Sequence, residues 1–62
     1  MNLSTYYDSK LSAVTYKKDG EFGAKFYDDG VLVLEERYPG HSEAYAECAA
    51  ENYVLGVKKI GI

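Results

Sequence analysis

Four groups of residues in this chain have types from which chemistry is made. Cys48 and His41 are its single thiol and single imidazole. A nucleophilic thiolate needs a nearby base and an electropositive setting. Cys48 lies between Glu47 and Ala49 with no cation close in sequence, so it reads as a small half-buried core thiol. His41 reads as a turn or solvent-exposed residue at a loop-to-helix junction. Asp28-Asp29 and Glu35-Glu36 are paired carboxylates. Acid–base work of the glycosidase kind needs two carboxyls facing each other across a cleft, one of them desolvated. Neighbours on a strand point to opposite faces, and the aspartates already serve a turn, so neither pair makes that arrangement. The aspartates also lack the spaced acidic ligands of a calcium loop. One Cys and one His do not make a structural zinc site, and no glycine-rich phosphate loop is present. The expectation is a non-enzyme without a cofactor.

The fourth group is Lys17, Lys25 and Arg37 with Tyr27. Cations and aromatics on an exposed sheet are how several single-strand binders hold nucleic acid. Against that stand Glu35 on the same strands, a net charge of -3 and a pI near 4.9, which also disfavour an anionic membrane. Nucleic acid is therefore the less favoured ligand. The segment Met1–Asp8 has no basic start and no apolar run, and with a lone thiol the expected location is the cytoplasm.

The elements that position these groups are announced by a turn written twice, ten residues apart, at Asp19-Gly20 and Asp29-Gly30. An Asp-Gly step between alternating apolar residues is a hairpin signal. Read as three-residue loops, Lys18-Asp19-Gly20 and Asp28-Asp29-Gly30 set Lys17 opposite Glu21, Tyr16 opposite Phe22, Tyr27 opposite Val31 and Phe26 opposite Leu32. One face then collects Val14, Tyr16, Phe22, Ala24, Phe26, Leu32 and Leu34. The other carries Ala13, Thr15, Lys17, Gly23, Lys25, Tyr27, Val31, Val33, Glu35 and Arg37. A two-residue loop is disfavoured on this reading because it sets Phe22 beside Lys17.

Pro39-Gly40 ends the third strand. Ser42 is the expected N-cap of a helix running to about Leu55, with Gly56 as its stop. Ala46, Ala49, Ala50, Tyr53 and Val54 form its apolar stripe, and Glu43, Glu47 and Glu51 a solvated acidic line on the other side. Val57–Ile62 reads as a short strand lying parallel beside the first. The predicted fold is a single α+β domain over residues 1–62: a three-stranded antiparallel meander, one helix packed on one face and a short C-terminal fourth strand (β-β-β-α-β), with residues 1–10 irregular.

The run Ala13–Phe22, the turn Asp28-Asp29-Gly30 and the segment Tyr38-Pro39-Gly40-His41-Ser42-Glu43-Ala44-Tyr45-Ala46-Glu47 resemble the amino-terminal domain of HicB-type antitoxins over about residues 13–54. The resemblance implies a partial RNase H or double-stranded-RNA-binding fold of β-β-β-α-β order. Where that family often has Leu-Pro-Gly-Cys, this chain has Tyr38-Pro39-Gly40-His41. In style it also resembles small accessory proteins of tailed bacteriophages, which often bind and block a host protein. The expected function is a protein-binding module, inhibitory or antitoxin-like, docking through Lys25, Tyr27, Val31, Val33 and Arg37 or through a strand edge. A structural homodimer is the nearest competitor, since so short a chain gains core by pairing with itself.

Overall fold

The computed structural model describes residues 2–56. Four strands, β1 (Asn2–Asp8), β2 (Leu11–Lys18), β3 (Glu21–Asp28) and β4 (Val31–Tyr38), precede one helix, α1 (Glu43–Val54). They form one antiparallel sheet in the order β1-β2-β3-β4. This corrects the expected β-β-β-α-β fold: the described order is β-β-β-β-α, and the segment 1–10 expected to be irregular supplies the first strand. The expected C-terminal strand, residues 57–62, lies outside the described residues.

The first strand escapes a reading by periodicity for a physical reason. Its helix-facing residues, Ser4 and Tyr6, are hydroxyls and give no apolar alternation. Its turn, Ser9-Lys10, carries no glycine, and Ser9 itself takes the left-handed conformation at φ 57°. With it the turns recur at 9–10, 19–20, 29–30 and 39–40.

The register differs from expectation too. Asp19-Gly20 and Asp29-Gly30 are two-residue turns, with Asp19 at φ 53°, Gly20 at 79°, Asp29 at 54° and Gly30 at 81°. Both central residues at positive φ make a type I′ turn, whose twist matches that of the flanking strands. Lys18 therefore pairs with Glu21, Tyr16 with Gly23 and Thr15 with Ala24. Lys17 does fall opposite Phe22, but its amine sits 5.3 Å from the ring centroid. A cation over an aromatic face is a favourable neighbour, so the objection to a two-residue loop fails.

The shift turns β2 over. Ala13 and Thr15 are fully buried and face the helix, while Val14 and Tyr16 face away. On β3 and β4 the inward Ala24, Phe26 and Leu34 stand as expected. Leu32 does not. A bulge between Phe26↔Leu34 and Tyr27↔Leu32 leaves Val33 as an extra residue and swings Leu32 onto the outer face beside Tyr27.

The helix packs on β2 and β3 and more lightly on β1. Four alanines, Ala13 and Ala24 on the sheet and Ala46 and Ala50 on the helix, are fully buried, so the backbones approach closely. Phe26 fills the centre and meets Tyr53 edge-on at 5.0 Å, while the Tyr53 hydroxyl donates to the Tyr27 carbonyl at 2.8 Å. The helix ends as expected, with Leu55 as C-cap and Gly56 at φ 83°. At its start Ser42 holds the extended N-cap conformation, but its side chain makes no cap bond.

On the outer face Tyr16 lies across Gly23. A Cβ at Gly23 would sit 2.7 Å from the Tyr16 ring and 2.8 Å from the Glu36 carbonyl oxygen. The ring covers the one strand position that has no side chain, and only glycine leaves room for it. Gly23→Ala is expected to lower stability by about 1–3 kcal/mol through overpacking, and Phe26→Ala by about 3–5 kcal/mol. Urea denaturation of both variants checks the order; an unchanged midpoint for Gly23→Ala would contradict the contact.

Candidate functional site

Among the described residues the one helix lies on one side and nothing covers the other face of the sheet, so its side chains can be read as rows across the strands. The row nearest the Asp29-Gly30 turn runs Tyr7–Ser12–Tyr27–Leu32. The next runs Thr5–Val14–Lys25–Glu35, and the third Asn2–Tyr16–Gly23–Arg37. Tyr7 is 77% exposed and Leu32 49%. Beside Leu32, at the start of the edge strand β4, Val31 is 63% and Val33 44% exposed. Apolar and aromatic area thus gathers at one end of the face and continues onto its edge.

The other rows are polar but internally compensated. Lys25 stands opposite Glu35, and its amine lies 5.7 Å from the Tyr16 ring centroid. Tyr16 donates its hydroxyl to Glu35 at 2.6 Å; burial and that bond push its pKa up to about 12. Arg37 pairs with Glu21 at 3.1 Å and reaches the Lys18 carbonyl at 3.4 Å. Of the residues expected to bind a partner, Lys25, Tyr27 and Arg37 share this face and Val33 occupies the bulge, whereas Val31 pairs with Asp28 instead of Tyr27 and is thereby turned, though exposed, to the helix side of the sheet. Tyr7 and Leu32 belong to the same surface and were not expected there. Seeing them requires the two-residue turns and the bulge, since a one-residue slip exchanges the faces.

The groups with catalytic residue types are engaged otherwise. Cys48 is exposed, not half-buried. His41 stacks on Tyr45 at 3.9 Å, and Tyr38 meets Tyr45 edge-on at 5.1 Å. The Glu35-Glu36 pair splits across the sheet as expected: Glu35 accepts from Tyr16 on the outer face, and Glu36 from Tyr38 at 2.8 Å on the other. Burial first, then the Glu36 bond, raises the Tyr38 pKa. Among the described residues no three His, Cys, Asp or Glu side chains gather to hold a metal ion. No helix there is long and apolar enough to cross a membrane.

Glu47 corrects the expected acidic line. Glu43 and Glu51 are exposed, but Glu47 turns to the sheet and accepts hydroxyl bonds from Ser4 (3.1 Å), Thr15 (2.9 Å) and Tyr6. Partial burial acts to raise the Glu47 pKa, and the bonds from Tyr6, Thr15 and Ser4 together outweigh it, so the group stays below the ordinary glutamate value. Tyr6, held by the same bond and partly buried, is pushed up to about 12. A carboxylate saturated by three donors is a weak base. This cluster clamps α1 to β1 and β2 rather than performing acid–base chemistry.

The described residues thus form a four-stranded antiparallel meander with a single helix on one face. No family model matches the chain, and comparison with curated proteins and with solved structures gave no match either.

The clamp has two pH limits. Because the folded pKa of Glu47 is lowered, its contribution is present above the unfolded value near 4.5 and disappears as pH falls through the folded pKa. Because that of Tyr6 is raised, its contribution is full below the unfolded value of 10.0 and is lost as pH rises through about 12. Chemical denaturation across the acid range should show wild-type stability falling below about pH 4.5 and a flatter limb for Glu47→Gln. Parallel limbs would remove Glu47 as the titrating group.

Proposed function

We propose that this chain is a non-enzymatic protein-binding module, an inhibitor or antitoxin-like factor that occupies a surface of its partner. One observation carries the reading: the exposed Tyr7 and Leu32 flank the half-buried Ser12 and Tyr27 in one row, with exposed Val33 at the adjoining bulge, on a sheet face that no element of the chain covers among the described residues. Tyrosine brings a large rigid contact area at small entropic cost, and aromatic residues are enriched at the centres of protein interfaces. Apolar surface rimmed by polar residues is the common mark of such contacts.

The charge arrangement supports a protein over a polyanion. Lys25 and Arg37 each have a carboxylate opposite or in contact, Glu35 and Glu21. Phosphate contacts would have to break or outbid these pairings on a chain of net charge -3. The acidic, tyrosine-rich style shared with small phage accessory proteins fits a blocking role.

Capture from a cell lysate on the immobilised full chain tests the reading when run with matched variants. Tyr27→Lys and Leu32→Lys are expected to weaken retention of the captured protein at least tenfold, while Glu51→Lys on the exposed side of the helix leaves it unchanged. Circular dichroism confirms that each variant is folded. Full retention by both sheet variants would overturn the assignment of this face.

A further inference from the structure

We propose that β1 is a strap that opens as a unit, pivoting at Ser9 and latched by the Glu47 carboxylate, while β2–β4 and α1 stay folded around the core. β1 carries Tyr7, so the strap decides whether the outer row is complete. That consequence rests on the protein-binding reading; the strap itself does not.

Every buried residue among those described lies on β2, β3 or α1, and β1 has none. Its Tyr6 packs against the core cluster but is only half-buried. Its regular pairing with β2 covers Ser4–Asp8 and slips between Asn2 and Ser4. Segments with few buried apolar contacts open at a lower free energy than the whole domain. The attachment of β1 to the helix is polar: Ser4 and Tyr6 donate their hydroxyls to Glu47. Opening hands both hydroxyls to water. Thr15 donates to the same carboxylate at 2.9 Å, and that bond runs between β2 and α1. It survives the opening, so the buried Thr15 hydroxyl is not left unsatisfied.

The pivot is marked in the backbone. Asp19-Gly20 and Asp29-Gly30 hold both residues at positive φ, whereas in Ser9-Lys10 only Ser9 does, at 57°. Serine has neither the freedom of glycine nor the tolerance of aspartate for this region. Release to extended backbone removes that cost. Lys10 does not move with the strap. Its carbonyl accepts from the Asp29 amide at 2.8 Å, and its amine lies 3.8 Å from the Asp28 carboxylate. The hinge therefore narrows to Ser9. Opening takes Tyr7 out of the row it shares with Tyr27 and Leu32. A partner that covers all three binds the closed strap and, by reciprocity, holds it shut.

Amide hydrogen exchange on the full chain, followed residue by residue through sub-denaturing urea, tests the strap without any partner. The hydrogen-bonded amides within Ser4–Asp8 should share one protection factor, at least tenfold below that of β3. Their urea dependence should be shallower than that of β3, because opening one strand exposes less surface than unfolding the domain. Glu47→Ala should lower β1 protection at least tenfold, and Ser9→Gly should raise it at least threefold. Equal protection and equal urea dependence on β1 and β3 would overturn the proposal, since the domain then opens only as a whole. So would protection that climbs residue by residue from Asn2 to Asp8, which is fraying, and so would Ser9→Gly leaving β1 unchanged. Should Glu47→Ala fail to fold, the wild-type urea dependence and Ser9→Gly still decide. If the strap opens as described and Tyr27→Lys retains the captured protein, the strap stands and the partner contact lies elsewhere.

Discussion

Asp19 and Gly20 both hold positive φ, and the resulting two-residue turn sets Lys18 against Glu21. Everything on either side of the sheet depends on that phase. It sends Ala13 and Thr15 toward the helix and Val14 and Tyr16 away from it. Had the loop held three residues, two larger side chains would stand where the helix now approaches. The alanines of α1 would then have nothing small to pack against. Type I′ geometry is available here because aspartate tolerates the left-handed region and glycine favours it.

The close approach has a polar consequence. Thr15 is fully buried, and its hydroxyl needs a partner. Glu47 provides it from the helix and gathers Ser4 and Tyr6 of β1 at the same time. A helix lying mainly over β2 and β3 is thereby tied to the edge strand as well. The partial exposure of Glu47 keeps its desolvation cost moderate. With one small aromatic core and one polar clamp, the chain reaches a compact state without a disulfide.

Much of this was legible in the residues and some was not. The helix, its alanine-tyrosine stripe, its glycine stop and the inward Phe26 followed from spacing, because a period of 3.6 and a period of 2 are hard to confuse over twelve and eight residues. β1 was hidden because its inward residues bond through hydroxyls. The β2 register was misread because an apolar count favours Val14 and Tyr16 inside, and such a count has no means of seeing Tyr16 cover Gly23 or Lys17 cover Phe22. Glu47 looked like one of three evenly spaced surface glutamates; only the position of β1 distinguishes it. The outer face was half legible. Lys25, Tyr27 and Arg37 share it under either register, whereas Tyr7 and Leu32 join it only through an unseen strand and an unseen bulge.

A sheet with one covered face divides its apolar residues between stability and contact. Phe26, Tyr53 and the alanines serve the first, and burial there is as complete as so small a domain allows. Tyr7, Leu32 and Val31 serve no internal packing comparable to theirs, since each keeps about half or more of its surface in water. The polar rows beside them are satisfied within the face, by Tyr16 on Glu35 and Arg37 on Glu21. A partner can therefore cover the apolar row without stranding a charge beneath it, which is the condition under which buried area is converted into affinity. Tyr16 thus serves both the fold and the outer face: its ring fills the space over Gly23, and its hydroxyl fixes the Glu35 carboxylate within that face.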